Sequence, residues 1–156
     1  MNHKTFKDEL AFLSNMHPCV IPYKGLTFSC TEAAYQAEKC AQEEDKIPFT
    51  YMNGYEAKKA GRVIQLGKHW TEAYKLQTMA ALIVCKFRPY TELAQQLLGV
   101  RGPIVEYNYW HDNFWGHCFC AKCKRVEKQN VFGRILTIHR DNLALLLVRN
   151  QEDNQP

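Results

Sequence analysis

No stretch of this 156-residue chain is apolar for long enough to cross a bilayer. The longest runs, Met79 to Cys85 and Leu143 to Val148, fall far short of the roughly 20 residues that a spanning helix needs. The first residues, Met1 to Glu9, are polar and charged, so a secretory leader is not expected. Charge is not strongly one-sided either. Lys and Arg number 20 against 16 Asp and Glu, a net +4 that tilts toward anionic partners without being the basic footprint of a dedicated nucleic-acid binder. There is no G-x-G-x-x-G and no G-x-x-x-x-G-K-[ST], which removes the Rossmann and P-loop nucleotide sites. There is no G-x-S-x-G nucleophile elbow. No H-x-E accompanies a P-C-x-x-C, which argues against a zinc deaminase. Linkers, repeats and low-complexity segments are missing as well.

What remains is an ordinary globular composition, 46% hydrophobic and 23% charged. Its length suits a single domain over residues 1–149 with a polar, frayed tail at 150–156. Seven cysteines, an odd number in a chain without a leader, predict reduced thiols and a cytoplasmic setting. Cys19, Cys30, Cys40 and Cys85 read as small buried hydrophobes. Cys118, Cys120 and Cys123 are closely spaced, and the last two have the C-x-x-C spacing that clips zinc. His117, His111 or Cys118 are available as further ligands, but the second, well-separated pair of a structural zinc site is missing. The expectation is therefore no metal and no cofactor.

Residues 19–23 and 26–29 flank Lys24-Gly25, the signature of a two-residue hairpin. Ser29 or Thr31 caps a helix over about 32–44. Further helices are predicted over 55–66 with a break at Gly61, over 72–86 behind Thr71, and over 92–98 behind Thr91 and closed by Gly99. Residues 104–107 alternate as a short strand, and a last helix runs from about Phe132 to Arg140 or somewhat beyond. The class is α+β: a single, mostly helical domain with a small antiparallel sheet.

Three segments carry chemistry. Trp110-His111-Asp112-Asn113-Phe114-Trp115-Gly116 follows Glu106 and gathers two carboxylates, an imidazole, an amide and two indoles. Flat rings suit a base or sugar, and carboxylates suit proton transfer. The plainer reading is a packed aromatic loop in which Asp112 caps a turn. On the first helix, Glu32, Tyr35, Gln36 and Lys39 fall at i, i+3, i+4 and i+7, on one face. Such a stripe is usually solvated, although Tyr and Gln are unusual choices for that. Phe12-Leu13-Ser14-Asn15 offers apolar anchors and a Ser-Asn pair for a ligand or for its own turn. At the last helix, Asn130 reads as an N-cap and Arg134 as a phosphate contact or a solvated residue; Arg62 beside Gly61 is a second possible anion contact.

Taken in order, these pieces resemble the NADAR family, the YbiA-like N-glycosidases. The resemblance runs through Phe12 to Asn15 with Pro18, the hairpin to Phe28, Thr31 to Lys39, Gly61-Arg62, Leu66, Trp70, Lys75, Met79 and Lys86-Phe87. It continues with Glu106, Trp110 to Gly116, and Asn130-x-x-Gly133 before Ile135-Leu136. Gly67-Lys68 and Arg101-Gly102 depart from the common pattern. The resemblance implies hydrolysis of an N-glycosidic bond to a ribose. The substrate would be a phosphorylated ribosylamino riboflavin-pathway intermediate, or ADP-ribose carried on a nucleobase such as guanine in DNA or RNA; no membrane partner is implied. Lys39 is the expected nucleophile, with Glu106 or Asp112 as acid/base and Glu32 as a further carboxylate. Phe12, Ser14, Asn15, Tyr35, Gln36, Arg62, Trp110, Trp115, Gly116, Asn130, Gly133 and Arg134 would hold substrate. The rival readings are a module that binds ADP-ribose without cleaving it and a small zinc-clipped nucleic-acid-binding protein.

Overall fold

Backbone preference and burial divide the helices of this chain differently from their sequence pattern alone. The computed structural model describes residues 6–152, so the last four residues of the expected frayed tail lie outside the described residues. Cα packing groups the described residues into two units, one spanning Leu13–Lys86 and the other joining the residues up to Phe12 with those from Phe87 onward. The architecture is α+β, predominantly helical with a small antiparallel sheet. No helix among the described residues is long and apolar enough to cross a membrane.

In the Leu13–Lys86 unit, β1 (Ile21–Tyr23) pairs antiparallel with β2 (Leu26–Phe28). Lys24 and Gly25 turn the hairpin with φ of 46° and 80°, the two left-handed positions of a type I′ turn. The helix α1 (Thr31–Ala37) follows, then α2 (Gly54–Ala60) and α3 (Glu72–Lys86). A 3₁₀ segment, Glu44–Tyr51, lies between α1 and α2. Helix α1 packs against α2, α3 and that segment, and all of its residues are buried. The expected helix over 32–44 is thus cut short at Ala37. Its continuation is diverted because Cys40 bridges Leu66, Gly67 N–H donates to Lys39 O, and Ala41 N–H donates to Gln65 O. Neither Ser29 nor Thr31 caps it: the N-cap is Cys30, and Glu32 N–H is taken by the distant carbonyl of Asn15 at 2.9 Å. The second helix also stops early, at Ala60, under an Asn53–Glu56 capping box. Helix α3 runs as its spacing predicts, with Thr71 Oγ1 accepting from Tyr74 N–H.

In the other unit, α4 (Glu92–Gly99), capped by Thr91, packs on α5 (Val131–Glu152). Helix α5 is longer than its sequence pattern suggests and takes in residues 150–152. The strand expected at 104–107 is reduced to β3 (Tyr107–Asn108), paired in parallel with β4 (His117–Cys118) around the loop 109–116. The segment Ile104–Glu106 is held by a side chain instead: Glu106 N–H donates to Asn130 Oδ1 and Asn130 Nδ2 donates to Ile104 O, at 3.0 and 2.9 Å. A Cβ on Gly133 would stand 2.3 Å from Ile104 O, so glycine is required there for close approach.

Gly133→Ala is therefore expected to lower stability by about 1–3 kcal/mol through overpacking. Gly99→Ala, where an added Cβ meets nothing within 4 Å, should be neutral or slightly stabilising. Paired thermal melts check the contrast, and equal shifts would refute it.

Candidate functional site

The polar stripe of α1 is buried. Glu32 and Gln36 retain 8% and 5% of their accessible surface, and Tyr35 is buried with them. A solvated face would not look like this, and burying such groups is costly unless they are partnered. Gln36 Nε2 donates to Glu32 Oε1 at 2.7 Å, the i, i+4 contact that the helix spacing creates. Room for this amide comes from Gly61, whose Cα lies so close that a Cβ would sit 1.9 Å from Gln36 Oε1. Among the described residues, Gln36 Oε1, Asn15 Oδ1 and Thr31 Oγ1 are buried without a hydrogen-bond partner. Buried acceptors left open in this way are unusual and suit a ligand that brings donors.

Lys39 lies in the turn just beyond α1 rather than on its i+7 position. Its Nζ stands 5.5 Å from the Tyr35 ring centroid and 5.9 Å from that of Trp70, which themselves pack edge-on. Among the described residues it has no hydrogen bond or ion pair. Burial lowers its pKa, Glu32 opposes that, and Lys75 and Lys58 push it further down. Desolvation between aromatic rings makes this amine easier to free of its proton than an exposed lysine.

The neighbouring Glu38 does the opposite. Its carboxylate is buried and takes Lys24 Nζ at 2.6 Å, Lys46 Nζ at 2.9 Å and the Tyr74 hydroxyl at 2.7 Å. Burial raises its pKa, but these hydrogen bonds outweigh burial and leave it below the usual value. Sequence reasoning missed this network because its members come from four separate elements. It also treated Lys86 as an ordinary helix residue. Lys86 is buried, donates to Ser14 O at 2.7 Å, and burial lowers its pKa to about 8, against smaller opposing effects of Cys19 and Cys30. It positions the loop that carries Asn15. Ser14 Oγ accepts from Met16 N–H, so its side chain serves its own turn. Arg62, by contrast, is exposed.

In the other unit, Asp112 Oδ1 accepts from Phe114 and Trp115 N–H at 3.1 and 2.8 Å, the turn-capping arrangement. Buried Asn108 ties the loop from inside by donating to Asp112 O and accepting from Trp110 N–H. Glu106 lies over Gly116, where a Cβ would meet its backbone oxygen at 2.5 Å and its Oε2 at 3.3 Å. Trp110 is 60% exposed, and Trp115 packs edge-on against Phe114. Phe12 sits edge-on to Phe87. Asn130 does not cap α5 with its side chain, which is committed to residues 104–106. Nor is the start of α5 open to a phosphate: Val131 and Phe132 N–H already donate to the carbonyls of Phe114 and Trp115. Arg134 is exposed beyond them. His111, in a left-handed conformation with φ of 69°, brings Nδ1 to 3.0 Å from Cys120 Sγ and 3.6 Å from Cys123 Sγ. One imidazole thus joins the three cysteines, a fourth possible ligand that does not come from a second pair along the chain.

Residues 2–144 match the NADAR domain. The chain belongs to the NADAR family. It is 26% identical over 136 residues to a riboflavin biosynthesis protein of Vibrio vulnificus (strain YJ016), across 85% of this chain but 35% of that protein. The chain thus spans about a third of the length of that curated relative. The NMR structure of the Escherichia coli protein YbiA superposes with a TM-score of 0.77 at 26% identity, covering 95% of this chain and 86% of that one.

Glu38→Gln removes the buried counter-charge of Lys46 and leaves it only the exposed Glu43, so it should lower stability by about 3 kcal/mol at neutral pH. Because the folded-state pKa of Glu38 lies below its ordinary 4.5, this stabilisation is complete above about pH 4.5 and disappears as the carboxyl protonates below it. Denaturant titrations of both proteins should therefore converge under acid conditions; a constant gap down to the acid transition would refute the assignment.

Proposed function

We propose that this NADAR-family protein is an N-glycosidase that releases a ribose from a nitrogen base, with Lys39 as the nucleophile. The observation that carries the reading is the Lys39 amine: beside aromatic rings, lowered in pKa, and coupled to the buried Glu32–Gln36 pair. An anomeric carbon is at the aldehyde oxidation level, so an amine can open the sugar and hold it as an imine. In this route the neutral Lys39 amine attacks that carbon, the bond to the base breaks, and the departing nitrogen takes a proton; the ring C–O bond then opens as the lysine nitrogen gives up a proton and the ring oxygen takes one, leaving the imine. Water then adds to the imine and returns the free amine and the sugar.

Glu32 is the carboxylate coupled to Lys39 within the same unit and takes the proton-transfer role here. Gln36 Oε1 and Asn15 Oδ1 accept from sugar hydroxyls. Tyr35 and Trp70 wall the amine from water, which keeps its pKa low. The sequence resemblance and the name of the Vibrio relative support a phosphorylated ribosylamino intermediate of riboflavin synthesis as substrate. ADP-ribose on guanine is the other member of the class, since it presents the same ribose-to-nitrogen bond.

Borohydride added during turnover should fix sugar to the protein, and peptide mapping should place it on Lys39. Lys39→Arg keeps the charge but cannot form the adduct, so it should bind substrate and fail to turn it over. The alkaline-rising limb of the pH–rate profile should fall below 10.5, as the lowered Lys39 pKa requires. An adduct on Lys86, a buried amine whose pKa is also lowered, would move the nucleophile there, and normal turnover by Lys39→Arg would end the imine route. Binding without turnover of either substrate class would instead support a non-catalytic ADP-ribose module.

Glu32→Gln should reduce kcat by about 10²–10⁴-fold, the effect of removing a positioned proton-transfer group. Asp112→Asn, whose Oδ1 holds two backbone amides, should instead lower the melting temperature while kcat falls less than in Glu32→Gln; the reverse order of rates would move the proton transfer to Asp112.

A further inference from the structure

We propose that His111, Cys118, Cys120 and Cys123 form a structural zinc site. Their four ligand atoms all lie within 4.8 Å of one another. Tetrahedral zinc, with bonds of about 2.3 Å to sulfur and about 2.0 Å to nitrogen, places neighbouring ligand atoms roughly 3.5–3.8 Å apart. The observed His111 Nδ1 distances to Cys120 and Cys123, 3.0 and 3.6 Å, need only small adjustments to meet that edge length.

Hydrogen bonding does not account for the cluster as well. A single ring nitrogen has one lone pair or one proton, yet two thiols lie within 3.6 Å of it and a third completes the cluster. Three soft sulfurs and one imidazole, with no carboxylate, are the donor set that zinc selects over magnesium, calcium or manganese. The groups that orient thiolate ligands are present too. Asn113 Nδ2 donates to Cys123 Sγ at 3.1 Å, Asn113 Oδ1 accepts from Cys118 N–H at 3.4 Å, and Cys120 N–H approaches Cys118 Sγ at 3.4 Å. Donors of this kind fix ligand orientation and tune affinity.

All four coordination positions are filled by the protein, so the site has no open position for water or substrate and plays a structural role. Cys118 and Cys123 are buried while His111 is exposed. The metal therefore ties the outer arm of the loop, at His111, to the segment beyond β4. Between those two points lie Asp112, Phe114 and Trp115. His111 adopts its left-handed backbone conformation, rare for a residue with a side chain, to reach inward.

The test uses the full chain, purified without chelator and analysed for metal. Stoichiometric zinc is expected in the wild type and in Cys85→Ser, a cysteine outside the cluster. His111→Ala and Cys120→Ser should lose it. His111 is exposed, so its variant keeps the question open to test if the cysteine variant fails to fold. Chelator-treated protein titrated with Co²⁺ should develop thiolate-to-cobalt charge-transfer absorption and the visible bands of a tetrahedral ion. Asn113→Leu should weaken the metal by about 10–100-fold. Zinc retained by both ligand variants, reduced protein that gives no tetrahedral cobalt spectrum, or a disulfide within the cluster in zinc-free protein would each overturn the site.

Discussion

Complete burial of α1 is the constraint on which the rest of the Leu13–Lys86 unit depends. A short helix enclosed on every side has no solvent for its polar groups, so each must find a partner or remain open at a cost of about 1–3 kcal/mol. Glu32 and Gln36 satisfy one another. Glu32 N–H reaches the Asn15 carbonyl where no cap side chain is available. Just past the helix, Glu38 is saturated by two ammonium groups and a phenol, whereas the Lys39 amine stands beside rings and, among the described residues, forms no hydrogen bond or ion pair. The contrast between those adjacent residues separates scaffold from chemistry. One charge is fixed by partners, and the other is made easier to neutralise.

The open acceptors belong to the same pattern. Among the described residues, Gln36 Oε1, Asn15 Oδ1 and Thr31 Oγ1 are buried and unpaired, while the buried charges of Glu38, Lys46 and Lys86 are bonded. Stability is given up locally where a ligand with hydroxyl donors would restore it. Gly61 is part of this arrangement for a steric reason: any side chain there would displace the Gln36 amide. Lys86 contributes from below by holding the Ser14 carbonyl and so the turn that presents Asn15.

The unit containing α5 is organised by backbone rather than by buried charge. Carbonyls of residues 113–116 take the amides of residues 129–132, so the aromatic loop caps α5 as it is itself held in place. Asn108 within the loop, and Asn130 with Gly133 at the helix start, complete the frame. Several residues that read as ligand contacts in the sequence are thus occupied: Asp112 Oδ1 by two amides, and the Asn130 side chain by residues 104–106. The same frame leads the chain past His111 and the three cysteines, whose ligand atoms it gathers within 4.8 Å of one another.

By itself, the sequence determined what depends on neighbours in the chain. The Lys24-Gly25 turn, the Thr91 and Thr71 helix starts and the run of α3 follow from local conformational preference, and the ordered motifs from Phe12 to Leu136 were enough to identify the family. Tertiary structure alone decided what depends on distant segments. It ended α1 at Ala37, because residues 65–67 offer the next stretch of chain a better set of hydrogen bonds than helix continuation. It reduced the 104–107 strand, because Asn130 takes over its backbone groups. It buried the Glu32–Gln36 stripe that periodicity alone would leave wet, since spacing records which residues share a face and not what covers that face. And it supplied His111 to the cysteines: ligand counting along the chain searches for a second pair at regular spacing, whereas a left-handed residue in a folded loop can bring in a single imidazole from outside any such pattern.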